Sequence, residues 1–282
     1  MTTAPVLSTP VAARQVAALL RAPSPLTPWQ ATEFRTGWTD APAARITDGT
    51  RTVIAAFHPG HTTLAWARRG DGPTYPRVAV PATDPALIAR EILRSALPDI
   101  DTEHARADGG ARPAREFLED ELRDYFADRG IPTSAWRTHN GTIVRVFRRG
   151  PALIRLKAHM TAPTLDMRYG GPEFFGGTLA DLEQVLRLVT PVRPRGPYKV
   201  LGDEITGQIP RRLCSQFSHA DMRQLSRYGC LVFGRNVGPE GQIETPEYRA
   251  RARDDAPVCA YVNRLGLDFT RSILDALTGT DA

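Results

Sequence analysis

The stretch Thr142-Ile-Val-Arg-Val-Phe-Arg-Arg-Gly-Pro-Ala-Leu-Ile-Arg-Leu-Lys157 decides the fold of the chain around it. It contains two runs of β-branched, aliphatic and aromatic residues on either side of the turn signal Gly150-Pro151, and this pattern predicts two short antiparallel strands. Successive side chains of a strand point to opposite faces. We therefore expect Arg155 and Lys157 to share one face of a sheet, over an apolar opposite face.

Positive charge is concentrated around this predicted hairpin. No aspartate or glutamate occurs between Asp128 and Asp166, an interval that holds seven arginine and lysine residues. Clustered arginines favour carboxylate or phosphate partners, because the planar guanidinium donates paired hydrogen bonds to both groups. The sequence therefore predicts a basic binding surface, with the contact residues Arg137, Arg145, Arg148, Arg149, Arg155 and Lys157.

A glycine-flanked segment, Gly170–Gly177, follows the basic strands and carries Phe174 and Phe175. One interpretation is a mobile contact loop that adds the two rings to the binding surface. The alternative is that one ring packs near the start of the next helix, as a hydrophobic staple does. The segment lacks the Lys-Ser/Thr ending of a phosphate-binding loop, so the pattern does not favour a phosphate cradle.

An acidic helix predicted at 114–129 offers another explanation for the basic stretch. Its carboxylates are Glu116, Glu119, Asp120, Glu121, Asp124 and Asp128. If they neutralise the neighbouring arginines, the result is a set of surface ion pairs worth only about 0–1 kcal/mol each. In that case the charge pattern indicates no binding function.

Composition excludes few classes of function. The 282 residues carry a formal net charge of +5, with a pI of about 9.4, which permits an anionic partner without requiring one. Only two of the 36 basic residues are lysines. This bias is typical of a GC-rich genome such as an actinobacterial one, and it weakens a functional interpretation of any single arginine. No signal peptide and no run of about 18 apolar residues is recognisable, so we expect a cytoplasmic protein without membrane contact.

Three cysteines, Cys214, Cys230 and Cys259, are too few and odd in number for a disulfide framework, and they favour a reducing compartment. With His219 they make four conceivable zinc ligands, but no Cys-x-x-Cys pair is present. Buried free thiols are the favoured interpretation. We therefore predict no metal and no cofactor, and no motif assigns catalytic residues.

The helix and strand patterns predict an α+β fold in three parts. The first module covers residues 1–104 and the second covers 114–191, each ordered as helix, strands and helix. Linkers are expected at 105–113 and 191–197, and a smaller α+β unit at 198–282 completes the chain.

Two helix starts have clear sequence signals. Asp84 precedes Pro85, which suits an N-cap followed by proline in the first helical turn. Thr178 and Asp181 have the spacing of a capping box, with aspartate in the place of the usual glutamate. We predict a helix after each signal.

The second module resembles a repeat of the first. Arg45-Ile-Thr-Asp-Gly-Thr50 matches Arg137-Thr-His-Asn-Gly-Thr142, and the strand-like segments after them also align. We interpret this match as a tandem duplication of an α+β module. The alternative is that any two modules of this class share such features.

Three segments near the C-terminus carry a resemblance to a known family. They are Leu231-Val-Phe-Gly234, the turn Gly238-Pro-Glu-Gly241, and Tyr261-Val-Asn-Arg-Leu-Gly-Leu-Asp-Phe269. This last third of the chain resembles the SUKH-type immunity superfamily, although Arg264-Leu265 replaces the serine pair usual after the asparagine. The resemblance implies direct binding and neutralisation of a toxin, often a nuclease or deaminase. The front modules loosely resemble domains of unknown function that are common in actinobacteria.

Three hypotheses of function follow. The first is a non-catalytic cytoplasmic binding protein, an immunity-type neutraliser that occludes a site on a protein partner. The second is a nucleic-acid-binding accessory protein that uses the strands at 137–157, with Trp136, Phe147 or Tyr169 available for base stacking. The third is an enzyme without a recognisable motif. The sequence specifies neither the partner nor the oligomeric state.

Overall fold

A computed structural model provides the fold of the chain. The structure describes residues 9–21, 27–67, 74–101, 111–137, 143–149, 152–158, 172–192, 205–220, 222–225, 230–234, 238–244 and 251–278. For 111–118, 143–149, 152–158 and 172–176 the description covers the backbone only. The chain divides into two compact units, Met1–Glu103 with Val192–Arg195, and His104–Pro191 with Gly196–Ala282.

The first unit is a five-stranded antiparallel sheet with a helix before and after it. Helix α1, Thr9–Leu19, precedes strands β1 to β5, which pair in chain order. The strands are Gln30–Phe34, Ala43–Thr47, Thr52–His58, His61–Trp66 and Tyr75–Val80. Helix α2, Pro85–Glu91, continues through a π-helical turn at Ile92–Ala96.

The central strand β3 is buried over its whole middle. Four consecutive residues, Val53–Ala56, are buried, so an uninterrupted apolar run marks a strand that is covered on both faces. Phe34 and Trp38 pack against a cluster that includes Ile54 and Ala65. Helix α1 contacts β1, β2 and α2.

A buried carboxylate organises the turn between β2 and β3. Asp48 Oδ1 accepts hydrogen bonds from the backbone N–H groups of Thr50 and Arg51 at 3.0 and 2.7 Å, and its Oδ2 accepts from Arg51 Nε at 2.7 Å. Gly49 takes a φ of +95°, which the turn requires. Burial raises the pKa of Asp48, but the hydrogen bonds and charge of Arg51 outweigh burial and leave that pKa below its usual value.

The first half of the second unit is again helix, strands and helix. Helix α3, Ala111–Asp128, precedes strands β6 to β9, and helix α4, Leu179–Val189, follows them. The strands are Ser134–Arg137, Ile143–Arg149, Ala152–Ala158 and Pro172–Thr178. Gly130 ends α3 with a φ of +62°, and the N–H of Ile131 donates to the carbonyl of Phe126, as in a Schellman motif.

The second half has the same order of elements. Helix α5, Gln208–Gln216, leads through a short 3₁₀ turn at Ser218–Ala220 to strands β10 to β13, and helix α6, Leu267–Thr278, follows. The strands are Arg223–Gln224, Leu231–Phe233, Glu240–Glu244 and Pro257–Asn263. Both four-stranded meanders belong to one eight-stranded antiparallel sheet, ordered β10-β11-β12-β13-β9-β8-β7-β6.

Strands β9 and β13 join the two meanders. Thr178 is opposite Pro257 and Phe174 is opposite Ala260 in an antiparallel ladder. Each is the last strand of its meander, and the helices that follow them, α4 and α6, contact each other. The buried residues of these helices include Leu182, Val185, Leu186, Phe269, Ile273 and Leu274.

The predicted α+β class is confirmed, and so are the two helix starts. Asp84 Oδ1 accepts a hydrogen bond from the N–H of Ala86 at 2.8 Å, and Thr178 Oγ1 accepts one from the N–H of Asp181 at 3.2 Å. Strands at the predicted basic hairpin are present as well, at Ile143–Arg149 and Ala152–Ala158.

The domain boundaries are drawn differently by the structure. The sequence predicts separate parts at 114–191 and 198–282, whereas strands from both ranges share one sheet and one compact unit. A sheet edge favours a neighbour because its outward backbone groups otherwise lack ladder partners, and β9 and β13 satisfy each other in this way. Helix α3 also begins at Ala111, inside the expected linker at 105–113. The tandem duplication stays a prediction.

A second buried carboxylate ties α4 to α5. Glu183 is only 4% exposed and accepts hydrogen bonds through both oxygens from Arg212, at 2.6 and 2.9 Å. Arg212 also donates to Asp254 Oδ1 at 2.8 Å and to the carbonyl of Ala252 at 2.9 Å. These bonds raise the pKa of Arg212, so its guanidinium stays charged.

Replacing Arg212 with methionine is expected to lower the free energy of unfolding by about 3 kcal/mol, because it removes both hydrogen bonds from a buried carboxylate and leaves Glu183 with the longer ion pair to Arg187 at 3.7 Å. Arg123→Met is the matched control, since Arg123 pairs with Asp120 and Asp124 at the exposed surface of α3. Urea denaturation followed by circular dichroism measures both. Equal effects of the two changes would contradict a special role for the buried pair.

Asp48 should make the stability of the first unit depend on pH. Its folded-state pKa lies below the unfolded value of about 3.9, so its contribution is complete above that pH and is lost as the pH falls through the folded-state pKa. Asp48→Asn is expected to destabilise the unit at pH 7, and its deficit should shrink below about pH 4. Hydrogen exchange of the β2–β3 hairpin measures this, and a deficit independent of pH would refute it.

Candidate interaction surface

The predicted basic residues lie on adjacent strands of the eight-stranded sheet. Backbone pairing places Arg145 of β7 opposite Leu156 of β8, and Arg155 of β8 opposite Val146 on one side and Glu173 of β9 on the other. Glu173 therefore brings an acidic position next to Arg155 on the ladder, which the local sequence around the hairpin does not indicate. The positions whose side chains lie outside the described residues are Arg145, Arg148, Arg149, Arg155 and Lys157.

Strand β6 is exposed at all four of its positions. It is the outer strand of the sheet and pairs with β7, from Ser134 opposite Val146 to Arg137 opposite Ile143. Trp136 keeps 46% of its surface exposed, although tryptophan is usually well buried. A strand with one covered face shows alternating exposure, so uniform exposure means that neither face of β6 is covered.

The contacts of the acids of helix α3 bear on the interpretation that these acids neutralise the charge of the basic strands. Arg123 of the same helix pairs with Asp120 at 2.7 Å and with Asp124 at 3.2 Å. Glu121 pairs with Arg271 of helix α6. These three carboxylates therefore have described partners other than the basic strands, while the side chain of Glu116 lies outside the described residues.

A row of polar contacts joins α3 to α6. The hydroxyl of Tyr125 donates to Asp275 Oδ1 at 2.6 Å, and Arg129 donates to the same oxygen at 3.0 Å. The guanidinium of Arg129 also lies 3.8 Å from the centre of the Tyr125 ring. Arg129 is the first residue of the basic stretch in the sequence, but in the structure it contacts Asp275 of α6.

The segment 170–177, predicted as a glycine-flanked loop, contains a strand instead. Pro172–Thr178 forms β9 and is hydrogen-bonded to β8 on one side and β13 on the other. Pairing of Pro172–Phe175 with β8, and of Gly177 and Thr178 with β13, keeps the segment extended despite the low strand propensity of glycine. The side chains of Phe174 and Phe175 lie outside the described residues, so their predicted contact role stays a prediction.

The cysteine environment favours inert thiols. Burial raises the pKa of Cys214 to about 11, and burial together with the charge of Glu244 raises that of Cys230. Among the described residues, no three histidine, cysteine, aspartate or glutamate side chains are grouped as a metal ion would need. In the same part of the chain, no helix is long and apolar enough to cross a membrane.

Sequence reasoning missed the contacts that hold the second unit together. Glu183 and Arg212 are 29 residues apart, and Tyr125 and Asp275 are 150 residues apart. No local pattern specifies such pairs, since periodicity constrains neighbours within one helix or strand. Trp136, in contrast, was recognisable from the sequence, because it is an aromatic residue beside the basic strands.

Comparison with models of protein families, with curated proteins and with solved structures gives no match for this chain. The candidate surface therefore rests on the residues and contacts described above.

We predict that Tyr125, at the contact between α3 and α6, ionises at a higher pH than an ordinary tyrosine. Burial, followed by the hydrogen bond to Asp275, raises the pKa of Tyr125 to about 12. Stability from this contact is complete below the usual tyrosine pKa of about 10 and is lost as the pH rises through 12. Spectrophotometric titration should show one phenol fewer ionising near pH 12 in Tyr125→Phe than in the wild type. Loss of a phenol that ionises near pH 10 instead would contradict the assignment.

Proposed function

We propose that this chain is a non-catalytic cytoplasmic binding protein, an immunity-type neutraliser that occludes a site on an acidic protein partner. The observation that carries the proposal is the outer strand β6, where Trp136 and Arg137 are exposed beside strands with a strongly basic sequence. Tryptophan and arginine are the residues most enriched at the energetic centres of protein interfaces. The contact surface comprises β6, β7 and β8.

Charge supports an acidic partner. The carboxylates of Asp120, Glu121 and Asp124 have described partners on α3 or α6. Arginines on the contact surface would raise the association rate for an acidic partner and pair with its carboxylates on contact. Binding would then be strongest at low ionic strength.

The exposure of Trp136 also favours the second hypothesis, a nucleic-acid-binding accessory protein. Single-stranded nucleic acids bind to grooves in which basic side chains hold the phosphates and aromatic rings stack on the bases. The two hypotheses differ in their salt dependence, since each phosphate contact releases counterions and steepens the loss of affinity with salt. The hypothesis of an enzyme without a recognisable motif stays open and has no site assigned to it.

Affinity capture from the native host separates these possibilities. The wild-type chain should retain one protein in stoichiometric amount after nuclease treatment, as identified by mass spectrometry. The triple change of Arg145, Arg148 and Arg155 to glutamine should reduce the retained amount about tenfold or more, since each close charge pair contributes a kcal/mol or more.

The matched control removes three positive charges elsewhere in the same unit. Arg223, Arg251 and Arg253 are exposed, and their joint change to glutamine should leave capture unchanged. Thermal melts check that both triple variants fold. Recovery of the wild type as a lone monomer would contradict the proposal. Tight binding of generic DNA or RNA with a steep salt dependence would instead support the second hypothesis, in which the basic strands bind nucleic acid.

A further inference from the structure

Strand β6 offers an open row of backbone hydrogen-bonding groups. It pairs with β7 through Ser134–Arg137, and it is the last strand in the described sheet. An edge strand directs alternate N–H and C=O groups away from its neighbour, and these groups are a template for another extended chain. All four residues of β6 are exposed, and no strand in the part of the chain that the structure describes pairs with this edge.

Two other outer strands of the protein, β5 and β10, have features that discourage strand addition. In the first unit, β5 contains Pro76, and its register with β4 shifts between Leu64 and Ala65. Proline removes a donor and an irregular register bends the edge. Within its described residues, β6 has neither feature, since its sequence is Ser-Ala-Trp-Arg and its register with β7 is continuous.

The opposite edge of the same sheet is closed in a different way. Strand β10 has only two residues, Arg223 and Gln224. The side-chain amide of Gln224 accepts a hydrogen bond from the backbone N–H of Thr206 at 2.8 Å and donates one to its carbonyl at 3.1 Å. A neighbouring segment of the chain thus occupies that end of the sheet, whereas β6 has no such contact among the described residues.

The surroundings of β6 select the charge of an occupant. The neighbouring strands contribute Arg145, Arg148, Arg149, Arg155 and Lys157 by sequence, and no acid occurs between Asp128 and Asp166. A cationic incoming strand would be repelled there, while an acidic one is attracted. The exposed indole of Trp136 supplies an apolar contact at the centre of the edge.

We propose that an extended acidic segment of the protein partner adds to the eight-stranded sheet as a further strand along β6, with an apolar side chain packed on Trp136. This inference rests on the proposed function and specifies its binding mode. Main-chain hydrogen bonds supply affinity, and alternate side chains of the added segment supply specificity. The flexible segment of the partner becomes ordered on binding, and this neutralises the partner without any chemical step.

A peptide of about eight residues, the length of an ordinary strand, tests the mode directly. The probe alternates glutamate with valine and carries a fluorescent label. Its anisotropy on titration with the full chain should show saturable binding. An analogue methylated on alternate backbone nitrogens keeps the charge but cannot complete the ladder, and it should bind at least about tenfold more weakly. Hydrogen exchange should show new protection of the β6 amides with the unmodified probe only.

Two variants separate strand addition from simple charge attraction. Trp136→Ala should weaken the probe about tenfold or more, as loss of a central aromatic anchor does. Leu225→Ala is the matched control, because Leu225 is an exposed apolar residue beside the opposite edge, and it should bind as the wild type does. Circular dichroism spectra confirm that both variants fold.

Several outcomes would overturn the inference. They are equal binding of the methylated analogue, no saturable binding of the unmodified probe, tighter competition by single-stranded DNA, and a dimer of the chain that Trp136→Ala dissociates. If the captured partner of the host still binds Trp136→Ala normally, the strand-addition mode fails while the proposed function stands. If no partner is captured, the proposed function fails as well.

Discussion

The antiparallel pairing of β9 with β13 is the constraint on which the second unit depends. Each strand closes a four-stranded meander, and each would otherwise end its meander with an unpaired edge. Their pairing merges two small sheets into one, and helix α4, which contacts both strands, also packs against α6. A four-stranded meander with two helices has little core by itself, so joining the halves increases the buried apolar area that each one gains.

Ion pairs between distant segments fix the helices on this joined sheet. Glu183 holds Arg212 of α5, and Arg271 and Asp275 of α6 hold Glu121, Tyr125 and Arg129 of α3. Pairs of this kind add little net stability compared with apolar residues, but breaking one whose carboxylate is buried, as that of Glu183 is, is costly. They therefore specify which helix packs where. They also engage α3 acids that lie beside the basic stretch in the sequence, so the order of charges along the chain is a poor guide to their pairing in space.

Local features of the fold were predictable from the sequence, and long-range ones were not. The helix starts at Asp84 and Thr178 and the hairpin at 143–158 follow from capping and from strand propensity, which act between near neighbours. The strand at Pro172–Thr178 was wrongly predicted as a loop, because its pairing with β8 and β13 comes from distant segments that the local glycine pattern does not show. The separation of 114–191 from 198–282 was expected for a similar reason. A proline-rich linker marks a break in the chain, but it does not show that the two sides lack a common sheet.

The exposure of β6 follows from the dimensions of the sheet and its helices. Helix α4 contacts β9 and β13 at the junction, α6 packs against α4, and α3 contacts β8. Strand β6 lies two positions beyond β8, a distance of about 10 Å at the usual strand spacing. A helix covers only about 5 Å on either side of its axis, so the helical layer ends before β6. Adding an ordered partner segment is the simplest way to bury Trp136, because the described helices are already engaged elsewhere. A sheet wider than its helical cover leaves one strand exposed at its edge, and under the proposed function the basic sequence of the adjacent strands favours an acidic partner there.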